Sequence, residues 1–467
     1  MRDFLWGGAT ASYQCEGGWD EGGRVESMWD QYLHENHLED GDVASDHYHR
    51  YEEDIRMMKE GGHNSYRFSL AWPRIIKNRE GEVNEEGIGF YNRLIDACLE
   101  YGITPMVTIF HWDLPQYLEE RGGWLNRDTC LAYTHYAKVC FERFGDRVRL
   151  WTTFNEPRYY TNSGYLIGNY PPGHKSIQET ITSSYYMMLA SAMAVKAFRD
   201  MGCEGQIGIV HSFSPVYTTD SSVDCAIAAR YAENFYNNWI LDTAALGEIP
   251  GDLLGELKKN YDLSMMTPED LAIIRENRVD YLGLNYYARV VVKPYETGET
   301  TLIVNNAGKK AKGTSQTIIK GWFEQVRPQS SRYTEWDTEI FPEGLYEGIR
   351  RVWNKYHLPV YITENGIGLY EDVRAEQVAD DDRIEFMAMH IAAVLKARGE
   401  GCDVRGYYAW SPFDLYSWKN GTEKRYGLVA IDYENGLKRK PKKSYYWFRD
   451  VIRSEGHSVA GNVKGEV

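Results

Sequence analysis

The sequence has little of what marks a disulfide-rich, zinc-binding or membrane-spanning protein. Its seven cysteines are scattered and odd in number, and none has CxxC or Cys/His ligand spacing. This pattern predicts reduced thiols and no structural zinc site. No run approaches the roughly 18 apolar residues of a membrane span, and the opening MRDFLWGGATAS lacks the charged and apolar regions of a signal peptide. We therefore expect a soluble, cytoplasmic protein.

Positively charged residues are outnumbered, with 52 Lys and Arg against 68 Asp and Glu. The formal net charge is −16, and no basic stripe offsets it, since the segment 309–312 is short and is interpreted as a solvated loop. This balance argues against nucleic acid or an anionic membrane surface as a partner. A phosphate-binding glycine turn is missing as well, because GGATAS at 7–12 does not match GxGxxG.

Strand-like and helix-like segments alternate along the 467 residues. The strand candidates are short, rich in Val, Ile, Tyr and Phe, and mostly without polar alternation, which suits parallel strands covered on both faces. We predict a single (β/α)8 TIM barrel over residues 1–467, with a doubly wound sheet as the competing fold. The eight strand candidates are 4–9, 65–71, 105–110, 149–154, 206–213, 281–287, 359–363 and 405–410.

The helices and one insertion can be placed between these strands. Residues 127–144 carry an apolar face, with Asn126 as the expected N-cap and Gly145 as the stop. Residues 381–398 repeat the pattern, with Gly399 as their end. The polar stretch 289–335 is predicted to be a long loop that either covers the substrate mouth or is mobile.

Two glutamates follow strand candidates in the strings TFNEP and ITENG. These are Glu156 and Glu364. A lone glutamate at a strand end is usually a solvated surface residue. Two of them, delivered by distant strands to one face of a barrel, instead indicate acid/base and nucleophilic chemistry on an acetal bond.

Other polar or aromatic residues come at the ends of the remaining strands. Each alone has a structural explanation, such as a helix cap, a satisfied buried histidine or a core tryptophan. Because a barrel would bring them to the same end, the set indicates a binding site. Its members are Gln14, Arg67, His111, Asn155, Asn285, Tyr287 and Trp410.

The chain resembles the family 1 glycoside hydrolases over nearly its whole length. The ordered matches besides TFNEP and ITENG are FLWGGATASYQCEGG, DHYHRYEEDI, SYRFSLAWPRI, TIFHWDLPQYL, FGDRVRLWTTFNEP, GNYPPGH, EIFPEGL and KRYGL. The resemblance implies that Glu156 is the acid/base and Glu364 the nucleophile, and that Arg67 and Tyr287 touch the nucleophile. It also implies contacts to the sugar hydroxyls from Gln14, His111, Asn155 and Trp410.

This chemistry has physical requirements. Glu364 must be ionised, which a nearby Arg67 favours by lowering its pKa, and Glu156 must be protonated, which the charge of Glu364 favours. Retention of configuration needs the two carboxyl groups about 5–5.5 Å apart. No metal or organic cofactor is needed.

The stretch after the eighth strand bears on the substrate. Ordinary β-glucosidases of the resembling family usually have Glu–Trp where this chain has Ser417–Trp418, and a glutamate there would repel a 6-phosphate by about 4 kcal/mol at roughly 4 Å. Lys424 and Tyr426 complete a spacing that resembles the phosphate-binding loop of the 6-phospho-β-glycosidases. Solvated loop residues are the competing interpretation.

Several alternatives stay open at this point. We predict a 6-phospho-β-glycosidase that acts on a small-molecule substrate. An unphosphorylated β-glucosidase or β-galactosidase is the first alternative, and a non-catalytic sugar-binding barrel is the second. Trp418 resembles the residue common in 6-phospho-β-galactosidases, so either sugar configuration is possible, and Trp336 is a candidate stacking platform for the aglycone.

Overall fold

Eight parallel strands close into a barrel in the computed structural model, which describes residues 4–460. Each strand pairs with its neighbours in chain order, and the first pairs with the eighth. The predicted TIM barrel is therefore confirmed. Its strands are Leu5–Ala9, Ser65–Ser69, Thr104–Phe110, Leu150–Asn155, Gln206–Phe213, Tyr281–Tyr286, Val360–Asn365 and Val404–Ala409.

Burial on both faces explains why these strands lack polar alternation. Every residue of the second, fourth, sixth and seventh strands is buried. The interior is packed closely enough to require glycine at Gly283, where a Cβ would come within 2.6 Å of Val210 and 2.8 Å of Thr363. The polar side chains carried by these strands are consequently held in one position.

Helices surround the barrel and fill its connections. None in the described range 4–460 is long and apolar enough to cross a bilayer. The α-helices are Ser12–Cys15, Met28–Glu35, His47–Glu60, Trp72–Ile75, Glu85–Glu100, Gln116–Glu119, Asp128–Phe144, Pro157–Thr161, Ile177–Asp200, Val223–Glu233, Trp239–Leu246, Gly251–Leu257, Pro268–Glu276, Pro342–Tyr356, Asp381–Gly399, Lys443–Arg453 and His457–Ala460. The π-helical turns are Asn162–Leu166 and Asn234–Asn238, and the 3-10 turns are Gly123–Leu125, Gly308–Ala311 and Trp418–Asn420.

The two helices expected from periodicity begin and end close to the predicted residues. Asn126 accepts a hydrogen bond from the Asp128 N–H at 2.9 Å, one residue earlier than a formal N-cap. Gly145 closes that helix by donating to the Phe141 carbonyl at 2.9 Å. Gly399 is the last residue of the helix that begins at Asp381.

The stretch 289–335 is an insertion that lines the open end of the barrel, as predicted, but it is not an irregular loop. This stretch supplies four strands that, with Val216–Thr218, form a second sheet in the order 216–218, 290–294, 323–326, 316–319 and 301–303. Val290, Val292, Ile319 and Phe323 pack there in a small separate core. Short strands interrupted by glycines and lysines gave no clear period, which hid the sheet from the sequence. A last two-stranded sheet pairs Val429–Asp432 with Lys438–Pro441.

A buried arginine ties the helix Asp381–Gly399 to the segment after the eighth strand. Arg383 is 1% exposed. It donates to Asp380 at 2.8 Å and to Glu371 at 2.6 Å. It also donates to the backbone carbonyl of Tyr426 at 2.8 Å. This guanidinium therefore anchors the chain that carries Lys424 and Tyr426.

Replacing Arg383 by Met should lower the free energy of unfolding by about 3–5 kcal/mol, because buried carboxylates lose their cation. Urea unfolding of the two proteins measures the difference. Arg374→Met is the matched control, because its ion pair with Glu434 is exposed and is worth about 0–1 kcal/mol. A loss below about 1 kcal/mol in Arg383→Met would contradict the anchoring role.

Candidate active site

The carboxyl ends of the barrel strands open into a pocket of about 360 Å³. Every site residue predicted from the sequence lines it except Arg67, which lies fully buried behind the wall. The lining members of that set are Gln14, His111, Asn155, Glu156, Asn285, Tyr287, Trp336, Glu364, Trp410, Ser417, Trp418, Lys424 and Tyr426.

Local backbone geometry directs the two glutamates into this pocket. Glu156 adopts a left-handed conformation (φ 47°, ψ 55°) between the fourth strand and the helix that begins at Pro157. Its N–H still donates to the Val210 carbonyl at 2.8 Å. Glu364 lies in the seventh strand, where the pairing register shifts between Ile362 and Glu364. Such irregularities re-aim side chains at barrel rims.

Glu364 is held by one cation and one phenol. Arg67 Nη1 donates to Oε1 at 2.8 Å, and Tyr287 donates to Oε2 at 2.9 Å. Burial raises the pKa of Glu364. The charge of Arg67 and its hydrogen bond to the carboxylate oppose that rise, and so do hydrogen bonds from Tyr287 and Asn285. The expected lowering by Arg67 is present, but burial exceeds it.

Glu156 has a different environment. Asn285 donates to its Oε1 at 2.8 Å. Burial, followed by the negative charge of Glu364, raises the pKa of Glu156 to about 8. The two carboxyl groups therefore differ in the expected direction: Glu156 holds its proton near neutral pH, and Glu364 has the stronger support for its ionised form.

A chain of amides and one imidazole links the floor of the pocket. Asn155 Oδ1 accepts from Arg67 at 2.7 Å and from Asn285 at 3.1 Å. Its Nδ2 therefore donates to His111 Nε2 at 3.0 Å. Burial, assisted by the charge of Arg67, lowers the pKa of His111 well below its ordinary value. The ring is thus neutral and carries its hydrogen on Nδ1.

Asn285 has no N–H donor left for a ligand, because both hydrogens of its amide nitrogen are engaged. Its Oδ1 accepts from Thr363 at 2.8 Å, and its Nδ2 is shared between Asn155 and Glu156. These contacts favour a positioning role between the two carboxyl groups.

Several polar atoms around the pocket have no hydrogen-bond partner among residues 4–460. His111 Nδ1 and Gln14 Oε1 are buried and unpartnered, although Gln14 Nε2 donates to the Tyr416 carbonyl at 2.7 Å. The Trp410 ring stacks beside His111 with centroids 6.0 Å apart. A ligand with several hydroxyl groups would satisfy such a surface.

Ser417, Lys424 and Tyr426 line the same pocket. Within the described chain, no side-chain hydrogen bond or ion pair engages the Ser417 hydroxyl, the Lys424 ammonium or the Tyr426 hydroxyl. The ammonium lies over the rings of Trp336 and Tyr426, 4.7 and 5.4 Å from their centroids. Burial lowers the pKa of Lys424 to about 7.

The other two tryptophans of the predicted site, Trp418 and Trp336, have different surroundings. Trp418 stacks on Tyr13 and on Trp112, with centroids 5.7 and 4.9 Å away. Trp336 is buried against Tyr370, with ring centroids 5.2 Å apart. Its ring lines the pocket beside the Lys424 ammonium, and its role as a stacking platform for the aglycone stays a prediction.

Five aromatic residues of the pocket were not predicted, namely Trp112, Tyr159, Tyr170, Phe213 and Tyr236, and the first three of them pack together. Trp112 donates its Nε1–H to the Asn155 carbonyl at 2.9 Å and stacks on Tyr159, and Tyr170 packs near both. Trp112 directly follows His111 and Tyr159 comes three residues after Glu156, so proximity to a strand end was the available signal. Tyr170 lies in a long connection, and its available signal was the family string GNYPPGH at 168–174.

The pocket has no group of metal-ligating side chains that could hold an ion. In the described range, the one such group is His34, Asp40 and Asp42. None of the three lines the pocket.

Comparison with known proteins agrees with this geometry. The family model for glycosyl hydrolase family 1 matches residues 1–457, and the chain belongs to this family of glycoside hydrolases, which act on small-molecule sugar substrates. It is 40% identical to a 6-phospho-beta-galactosidase of Clostridium acetobutylicum over 96% of both chains. It is 38% identical to an aryl-phospho-beta-D-glucosidase of Bacillus subtilis over 98% of both.

The solved structures give the same fold. A beta-glucosidase from Thermotoga maritima in complex with glucoimidazole superimposes with a TM-score of 0.87 at 36% identity, covering 97% of this chain and 98% of the other. The (β/α)8 barrel of this chain is therefore the fold of the solved beta-glucosidase.

Proposed function

We propose that the protein is a retaining 6-phospho-β-glycosidase that hydrolyses β-linked 6-phospho-sugars. The observation that carries the proposal is the unpartnered set of Ser417, Lys424 and Tyr426 in the wall of the pocket that contains both glutamates. Two hydroxyl donors and an ammonium without a carboxylate partner match the oxygen atoms and charge of a phosphate group.

The state of Lys424 supports an anionic ligand. Lys424 is half-buried, and withdrawing an ammonium from water without a counter-ion is costly, which is why its pKa falls to about 7. A phosphate placed beside it would restore the charged form. A glutamate at position 417 would repel the negatively charged phosphate, whereas Ser417 offers it a hydroxyl donor. The names of the two phospho-glycosidase relatives agree with this specificity.

The proposed reaction uses the two carboxyl groups in opposite protonation states. Glu364 attacks the anomeric carbon while the glycosidic C–O bond breaks, and the departing oxygen takes the proton of Glu156. Glu156 then removes a proton from water, whose oxygen attacks the anomeric carbon and releases Glu364. The lost charge on Glu364 in the intermediate lowers the pKa of Glu156 and so prepares it to act as a base.

The names of the relatives bear on the configuration of the sugar. One relative is named for 6-phospho-galactosides and the other for aryl-phospho-glucosides, at 40% and 38% identity. Trp418 sits against Trp112 and His111, where it can contact the sugar. We propose that both configurations are accepted and that the assay below ranks them.

The pH dependence of kcat/KM should have a base limb near 8. Activity should fall as the pH rises through the pKa of Glu156, because the leaving group then receives no proton, and should fall at low pH as Glu364 becomes protonated. An unphosphorylated phenyl glycoside should be used, because its poor leaving group needs the proton and because Lys424 titration then does not contribute. In Glu156→Gln the base limb should disappear, and a limb that persists there would assign the titration to another group.

Leaving-group ability should distinguish the two glutamates. Glu156→Gln should lose about 10²–10⁴-fold in rate on a phosphorylated substrate with a poor leaving group. It should lose much less in the first turnover of a dinitrophenyl substrate, which departs without a proton. Glu364→Gln should be inactive on both, because no glycosyl-enzyme can form. Equal losses in Glu156→Gln on both substrates would refute its role as the acid.

Lys424→Met should lower kcat/KM about 10–100-fold for nitrophenyl β-glycoside 6-phosphates, since charge-assisted hydrogen bonds contribute about 1.5–3 kcal/mol. The unphosphorylated glucoside and galactoside should be unaffected. Ser417→Glu should reverse the preference. Lys419→Met is the matched control, because Lys419 is in the same segment but does not line the pocket. A wild-type preference for unphosphorylated substrates would overturn the phosphate specificity and indicate an ordinary β-glycosidase.

A further inference from the structure

A second cavity of about 400 Å³ lies behind the helix that follows Glu156. Arg158 and Asn162 contribute to its wall and also to the active-site pocket, and no other lining residue is shared. Its remaining wall comes from the helices Ile177–Asp200, Trp239–Leu246 and Gly251–Leu257 and from the hairpin that contains Trp322. None of the roles discussed above uses this space.

Aromatic and aliphatic side chains form most of the wall. Ile181, Leu253 and Leu257 make a small buried core, and Trp239 and Trp322 both pack against it. Trp322 is held on its outer side by stacking on Tyr231, with centroids 5.3 Å apart. A wall of this composition and a volume in this range are typical of small-molecule sites.

Three N–H donors in this wall have no partner among the described residues. They are Arg158 Nε, Asn162 Nδ2 and Trp239 Nε1, all buried. Asn162 is 4% exposed, so solvent does not readily replace the missing acceptor. Buried donors without acceptors cost about 1–3 kcal/mol each, and three around one cavity call for a shared acceptor.

The charge at this corner is positive and uncompensated by an ion pair. Arg158 donates from Nη2 to the Ser212 hydroxyl and carbonyl at 2.8 and 3.1 Å, and its guanidinium lies over Tyr236. Among residues 4–460 no carboxylate lies within salt-bridge distance of Arg158. Glu256 and Glu299 also line the cavity, but they are paired with Lys259 and Lys320. An acceptor that bears a negative charge is therefore favoured over a neutral one.

Backbone geometry provides an independent indication. Both π-helical turns of the described chain border the cavity, the first through Asn162 and Leu166 and the second through Asn234 and Phe235. Trp239 directly follows the second turn. Such turns are rare and occur frequently at functional sites. Here they direct Asn162 and Trp239 toward the same space.

We propose that this cavity is a second ligand site, distinct from the active-site pocket, for a small aromatic carboxylate. The carboxylate accepts hydrogen bonds from Arg158, Asn162 and Trp239, and the ring lies between the apolar walls that carry Trp239 and Trp322. The proposal does not depend on the sugar specificity or on the roles of the two glutamates.

Crystals of the full chain soaked with 4-iodobenzoate should show an anomalous iodine peak inside the cavity, and calorimetry should detect benzoate binding in solution. Benzyl alcohol, which has the ring without the charge, should bind at least about tenfold more weakly. Iodine only in the active-site pocket, or nowhere on the protein, would overturn the proposal.

Two conservative variants test the assigned contacts. Trp239→Phe keeps an aromatic wall but removes one donor, and it should weaken benzoate binding about tenfold. Trp322→Phe is the matched control, because its indole nitrogen is not among the unpartnered donors, and it should bind within about threefold of wild type. Leu253→Trp should fill the cavity and abolish binding while hydrolysis continues. Unchanged binding in Trp239→Phe or in Leu253→Trp would refute the site.

Discussion

Arg67 is the cation on which the chemistry of the active-site pocket depends. It is completely buried on the second strand, and its guanidinium contacts Glu364 and Asn155 on the seventh and fourth strands. Two carboxyl groups buried in one pocket would otherwise share a proton without a defined assignment. The contact with Arg67 favours the charge on Glu364, and Asn285 hydrogen-bonds Glu156. The asymmetry between the two carboxyl groups, which the proposed acid and nucleophile roles require, thus begins with the position of one side chain.

The sequence was sufficient to predict the barrel and most of its active end. The strands could be found because both of their faces are buried, which removes polar residues from them, and the strand ends then located Glu156 and Glu364. The sheet at 290–326 could not be found, because its strands are short and half-exposed. The position of Trp336 beside Lys424 was equally hidden, since it depends on how that insertion packs on the segment after the eighth strand.

The same limit applies to the roles of individual polar residues. Asn285 was predicted as one member of a binding set, yet its amide is engaged by Thr363, Asn155 and Glu156. Gln14 and His111, in contrast, each keep a buried atom without a partner. A sequence shows which residues reach the end of a barrel. The hydrogen bonds in the structure show which of these side chains are fully bonded to other protein groups and which have atoms left for a ligand.

Unpartnered groups also explain how an acidic protein can bind an anionic sugar. With a net charge of −16, the overall field repels a phosphate, so attraction must come from a short-range cation. A lysine already paired with a carboxylate would have to exchange one anion for another with little gain. Lys424 has no such competitor within the described chain, and its burial lowers its pKa to about 7. In the proposed function, the phosphate that restores this charge gains the interaction, and the cost of leaving the ammonium unpaired is the source of the proposed selectivity.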